Sequence, residues 1–130
     1  MIQARELRFC FVIDDYHAAA HLYRDVFRLE VLQELDEQGG RGIILKVPAA
    51  TLELVDVDHA GMVDEVEVGR PVDDRVRIAV KVDDLAEASR AVAETGAEAM
   101  AAPVETPWGD HNQRFKARDG MQLTLFQSNG

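Results

Sequence analysis

A carboxylate at Glu53, a guanidinium at Arg77, an indole at Trp108 and an imidazole at His111 equip this chain best to act on a small molecule. An arginine beside a carboxylate forms short, charge-assisted hydrogen bonds, and the same pair serves equally to grip a polar ligand. It also serves as a plain internal ion pair, since each buried charge needs the other. Lys81 lies four residues after Arg77, on the same face of a strand. The two cations can hold an anionic group, or Lys81 can sit at a wet rim. Trp108, framed by Pro107 and Gly109, offers a stacking surface for a planar or cationic ligand, or a lid that packs on the core. His111, beside Asp110, is the general-base candidate. His17 and His21 have the i, i+4 spacing of a helical zinc pair. They fall on the polar side of their helix next to Arg24 and lack the accompanying Glu, so a solvated face is the expectation. No glycine-rich phosphate loop, serine nucleophile elbow or Cys–His pair is evident.

The elements that must position these groups recur. Phe11-Val12-Ile13-Asp14-Asp15 is followed by an Ala-rich amphipathic segment and a strand near 29–35. Val80-Lys81-Val82-Asp83-Asp84 is followed by the same sequence of features, with the Asp pair 69 positions on. Thr51-Leu52-Glu53-Leu54 is echoed by Gln122-Leu123-Thr124-Leu125 at an offset of 71. A period of half the chain in βαβββ order predicts two copies of one small module. We expect one domain over 1–130, with module 1 at about 4–56, a connector at 57–74 and module 2 at about 75–127. In module 1, strands are expected at 7–13, 29–35, 42–47 and 51–55, with Asp14 and Asp15 capping a helix whose apolar stripe is Ala19, Leu22, Tyr23, Val26 and Phe27. Gln38-Gly39-Gly40 marks a turn. The connector holds a short helix near 58–66. In module 2, Asp84 and Glu87 have capping-box spacing and Gly96 stops the helix. Its buried face is Leu85, Ala88, Val92 and Thr95. Asp119-Gly120 joins strands at 112–117 and 121–126. The fold class is therefore α+β: two βαβββ modules, each a curved mixed sheet with its helix on the convex side, sharing a concave cup.

Composition narrows the partners. A net charge of −10 argues against backbone-directed nucleic-acid binding, which needs Lys and Arg to neutralise phosphates. It favours a cationic ligand or partner, and solubility alone also accounts for it. No apolar run approaches a membrane span and the N-terminus has no signal-peptide core, so a cytoplasmic protein without membrane attachment is expected. The lone Cys10 cannot form an intrachain disulfide; between Phe9 and Phe11 on a strand it is expected to be a packed, inert thiol.

Several segments in order resemble the vicinal oxygen chelate superfamily, which includes glyoxalase I, extradiol dioxygenases and bleomycin-resistance proteins. They are Phe11-Val12-Ile13-Asp14, Tyr23-Arg24-Asp25-Val26-Phe27, Leu52-Glu53-Leu54, Ile78 to Asp84, Thr106-Pro107-Trp108-Gly109-Asp110 and Asp119 to Phe126. The similarity covers essentially the whole chain. It implies a divalent metal held by one residue from each of four strands. The matching positions here are Leu7, Glu53, Arg77 and Thr124. Leu7 cannot ligate, Arg77 repels a cation and Thr124 is a poor neutral ligand, so one good ligand remains where metal sites need three or more. The resemblance is thus closest to metal-free, bleomycin-resistance-like members: a small-molecule binding protein without metal or cofactor, its ligand cationic or aromatic. The ligand contacts expected are Glu53, Arg77, Trp108, His111 and Phe9. The alternative is a superfamily lyase, isomerase or dioxygenase, metal-dependent or using Glu53 or His111 as base. The superfamily's single-domain members pair their modules across a two-fold axis, which implies a homodimer.

Overall fold

The computed structural model describes residue 3, residues 5–37 and residues 40–128. Two expected strands apart, its elements follow the expected order. Asp15 accepts a hydrogen bond from the Ala18 amide at 3.0 Å and opens helix α1, Tyr16–Ala20. The helix continues as a π-helical segment, His21–Val26, closed by the Phe27 amide donating to the Leu22 carbonyl at 2.9 Å. Strands β1 (Glu30–Glu37) and β2 (Gly40–Lys46) form an antiparallel hairpin. The turn expected between them lies, apart from Gly40, outside the described residues. Helix α2, Val57–Glu67, fills the connector and is capped by Asp56, which accepts from the His59 amide.

The second module forms the main sheet. Strand β3 (Arg77–Lys81) leads into α3 (Leu85–Glu94) and pairs in parallel with the last strand of the chain. Asp84 caps α3 through the Glu87 amide at 3.0 Å, and Gly96 ends the turn at φ +94°, where a side chain would be strained. Then come β4 (Glu98–Ala99), β5 (Val104–Glu105), β6 (Asp110–Lys116) and β7 (Gln122–Ser128). The sheet order is β3-β7-β6-β4, with β5 also paired to β6. Gly120, at φ +91°, makes the expected β6–β7 hairpin turn.

Alternation along these strands gives the sheet two different faces. Phe115, Leu123 and Leu125 point to one face and meet Leu85 and Val92 of α3. Leu22 of the first helix joins the same cluster, with Tyr23, Val26 and Phe27 packed around it. Both helical stripes are therefore as expected. The first helix, however, places its apolar stripe in the core built on the second sheet; its polar side meets the β1–β2 hairpin, where Tyr16 donates to the Gly42 carbonyl and Arg41 lies over the Tyr16 ring.

Two expected strands, at 7–13 and 51–55, are not laddered among the described residues. A strand is held by hydrogen bonds to a neighbour, and among the described residues β1 and β2 pair only with each other. Leu7, Phe9, Val12, Leu52 and Leu54 are left exposed, Val12 and Leu54 at 96% and 83%. The same absence exposes Cys10, which was expected to be packed.

Candidate functional site

The other face of the main sheet carries polar side chains at alternate positions: Arg77 on β3, Asn112 and Arg114 on β6, Gln122 and Thr124 on β7. Such groups cannot be buried without partners, and helix α2 supplies them. Asp64 and Glu67, three residues apart on one side of α2, are 2% and 4% exposed and point at the sheet. Arg77 grips Asp64 with both ends of its fork, Nη1 to Oδ1 at 2.7 Å and Nη2 to Oδ2 at 3.0 Å. Arg114, 2% exposed, bridges both acids: Nη1 donates to Asp64 Oδ1 at 2.9 Å and Nε to Glu67 Oε1 at 3.0 Å. Thr124 Oγ1 donates to Glu67 Oε1 at 2.8 Å, and Asn112 Nδ2 to Glu67 Oε2 at 2.9 Å. Two guanidiniums balance two carboxylates, so the cluster is neutral as a whole.

The segment after α2 completes the clamp. The Val72 amide donates to Asp64, while Arg77 also donates to the carbonyls of Val72 and Asp74. Burial alone would raise the Asp64 pKa. Hydrogen bonds from Arg114, Arg77 and the Val72 amide outweigh it and hold the carboxyl below its usual range. A carboxyl depressed in the folded state stabilises fully above its unfolded pKa, about 4. That contribution is lost as pH falls through the folded value. Denaturant unfolding should therefore show stability falling below about pH 4, and Asp64→Asn should flatten that limb. An unchanged acid limb in the variant would remove Asp64 from the account.

The structure distributes the sequence-derived candidates differently from expectation. Arg77 is on the polar face, but its carboxylate is Asp64, not Glu53. Glu53 is exposed in an unladdered segment and makes no hydrogen bond or ion pair among the described residues. His111 shares alternation with Gln113 and Phe115, so it lies on the face opposite Arg77 and Arg114, with Nε2 4.0 Å from Glu105. Trp108 is 46% exposed at the tip of the β5–β6 connection. That tip is stapled: the Asp110 amide donates to Thr106 Oγ1, and the Thr106 amide to the Asp110 carbonyl. Phe9 lines a cavity of about 220 Å³ with Phe11, Val76, Asp119 and Met121. Lys81 is exposed, as a rim residue would be. His21 bonds Asp25 and His17 meets Arg41, both on the solvated side of the first helix.

Asp64, Glu67 and Arg114 are site residues beyond those expected from the sequence. The signal was present: Asn112 and Arg114 alternate with an apolar side, as do Gln122 and Thr124, and Asp64 and Glu67 share one side of a short helix. At the positions where the resemblance puts metal ligands, Arg77 and Thr124 are engaged by carboxylates of α2 and Leu7 is apolar. Among the described residues no three His, Cys, Asp or Glu side chains gather to hold an ion. The donor set does not fit a divalent metal.

The fold is that of an α+β protein of the glyoxalase type. The family model for the glyoxalase/bleomycin resistance protein/dioxygenase superfamily matches residues 7–125, and the chain belongs to that superfamily. Solved structures agree on the fold. A hypothetical protein, SA1046, from S. aureus is 16% identical, with 96% of this chain and 95% of that chain covered and a TM-score of 0.64. The fosfomycin resistance protein FosX from Mesorhizobium loti is 14% identical, with coverages of 95% and 91% and a TM-score of 0.59. A lactoylglutathione lyase from Agrobacterium tumefaciens is 22% identical, with coverages of 88% and 86% and a TM-score of 0.53. No curated protein matches the sequence. No helix among the described residues is long and apolar enough to cross a membrane.

Proposed function

We propose that the chain is a metal-free small-molecule binding protein of the bleomycin-resistance-like type, acting in the cytoplasm as a homodimer. The observation that carries the reading is the occupation of the ligand positions. Where the superfamily's enzymes hold a metal, this chain has Leu7, Arg77 and Thr124, and the last two are built into a hydrogen-bonded network. Glu53 alone does not make a metal site.

The exposed apolar segments support the dimer. Leu7 and Phe9 on one segment, and Leu52 and Leu54 on the other, face solvent beside unpaired backbone, and a second copy related by a two-fold axis is the natural source of partner strands. Light scattering at micromolar concentration reads that state. In the assembled cup, Glu53 closes over the second sheet, Arg77 supplies a polar contact and Trp108 a stacking face. Phe9 and His111 are left out of the contact set, because Phe9 sits beside Val76 and Met121 and His111 alternates with Phe115, both away from the Arg77 face.

The ligand is a small, partly aromatic molecule, in keeping with pockets that combine aromatic walls with a few polar groups. Thermal-shift screening of aromatic metabolites and antibiotics finds candidates, since a ligand bound only to the native state raises its stability. Stacking on Trp108 contributes about 0.5–1.5 kcal/mol beyond area burial. Trp108→Ala should therefore weaken calorimetric affinity by up to about tenfold with an unchanged melting temperature. Unchanged affinity would move the site away from the loop.

A further inference from the structure

We propose that the polar face of the second sheet is a dicarboxylate-binding site that the chain keeps closed with its own helix α2. The inference rests on the reading of the chain as a small-molecule binder and names the chemistry its cup selects.

Helix α2 is held unusually. A helix that docks permanently buries an apolar stripe. The fully buried residues of α2 are Asp64 and Glu67, with Val63, Val66 and Val68 only half-buried beside them and Val57 and Met62 exposed. Its attachment to the sheet is mainly a set of charge-assisted hydrogen bonds. Each is one that a free carboxylate could make in its place.

The receiving wall is complete without the helix. Arg77 and Arg114 offer fixed forks that match carboxylates, and Thr124 Oγ1 and Asn112 Nδ2 add donors. All four are on strands of one sheet, so the arrangement is rigid. Arg114 contacts both acids at once, which sets the spacing of the two negative groups. Both carboxylates lie within 3.0 Å of this one guanidinium, a separation that the two ends of a short aliphatic diacid can match. Two buried acceptors, Asn112 Oδ1 and Gln122 Oε1, have no partner among the described residues. They suit a ligand that also carries a hydroxyl.

The overall charge of −10 opposes anions. Exposed charges are screened beyond about 8–10 Å at physiological salt, whereas two guanidiniums in contact are not. The local term decides, and α2 itself is the demonstration: two carboxylates already sit there. A diacid that binds only the open state shifts the population toward it and releases α2.

Hydrogen–deuterium exchange of the full chain, with millimolar glutarate against sodium chloride of equal ionic strength, reads this directly. Glutarate should speed exchange of amides in residues 57–67 while β6 and β7 stay protected. Equal loosening by chloride, or no loosening, overturns the proposal. In calorimetry the Asp64→Asn, Glu67→Gln double variant should bind glutarate about tenfold more tightly, because the closed state no longer competes. Equal or weaker binding by a folded variant also overturns it. If the variant does not fold, the exchange result on the native protein decides. A neutral aromatic ligand that binds while α2 stays protected would sink this inference and leave the binding reading standing; loss of all small-molecule binding would sink both.

Discussion

Arg114→Met is expected to destabilise the protein by about 3–5 kcal/mol. The guanidinium is almost fully buried and holds Asp64 and Glu67, both nearly inaccessible to water. Its removal leaves Glu67 facing only Thr124 and Asn112, and Asp64 dependent on Arg77 and one amide. An unpaired buried carboxylate must ionise without compensation or take up a proton, and either outcome weakens the fold. For a chain of this length the loss corresponds to a melting temperature lower by roughly 11–18 °C. Arg114→Lys should recover only part of it, because one ammonium cannot reproduce the fork that reaches both acids. Arg114→Met combined with Glu67→Met should be less damaging than Arg114→Met alone, since the stranded charge goes with its partner. Urea unfolding of the three variants gives the order. A single Arg114→Met variant as stable as the native chain would show that α2 does not depend on this cluster.

The second large effect lies on the opposite face of the same strand. Phe115 is 1% exposed and packs among Leu22, Leu85, Val92, Leu123 and Leu125. Phe115→Ala is expected to destabilise by about 3–5 kcal/mol, combining lost burial with the cavity left behind. Phe9→Ala removes the same ring from a position 60% exposed and should change the stability of the single chain by no more than about 0.5 kcal/mol. If Phe9→Ala proved as damaging as Phe115→Ala at a concentration where the protein is monomeric, the segment at 7–13 would belong to the core.

These two residues show what the sequence made legible and what it did not. Helices α1 and α3, the β6–β7 hairpin and the connector helix follow from local signals: a capping Asp, an apolar stripe, Asp119-Gly120. Each signal acts within a few residues, so it survives in the folded chain. The strand expected at 7–13 has the right apolar character, but strand formation needs a neighbour, and no local pattern says which segment that is. Cys10 went with it. The sequence marks Arg77 as a residue that needs a carboxylate. The symmetry of the two modules points to Glu53, whereas the connector, which has no counterpart in the repeat, supplies Asp64. Sequence neighbours make His111 a candidate, and strand alternation sets it on the other face. Pairings across long loops are decided by tertiary packing, where one-dimensional spacing has no purchase.

Whether the cup works without a metal is tested most directly by elemental analysis. The protein is incubated with zinc, manganese, nickel and ferrous iron in turn, dialysed, and its metal measured per chain. With Leu7, Arg77 and Thr124 at the ligand positions, the account predicts far less than one equivalent of any of them, and no change on Glu53→Ala. Near one equivalent of a single metal, lost on Glu53→Ala, would contradict it and make the chain a metal-dependent member of its superfamily.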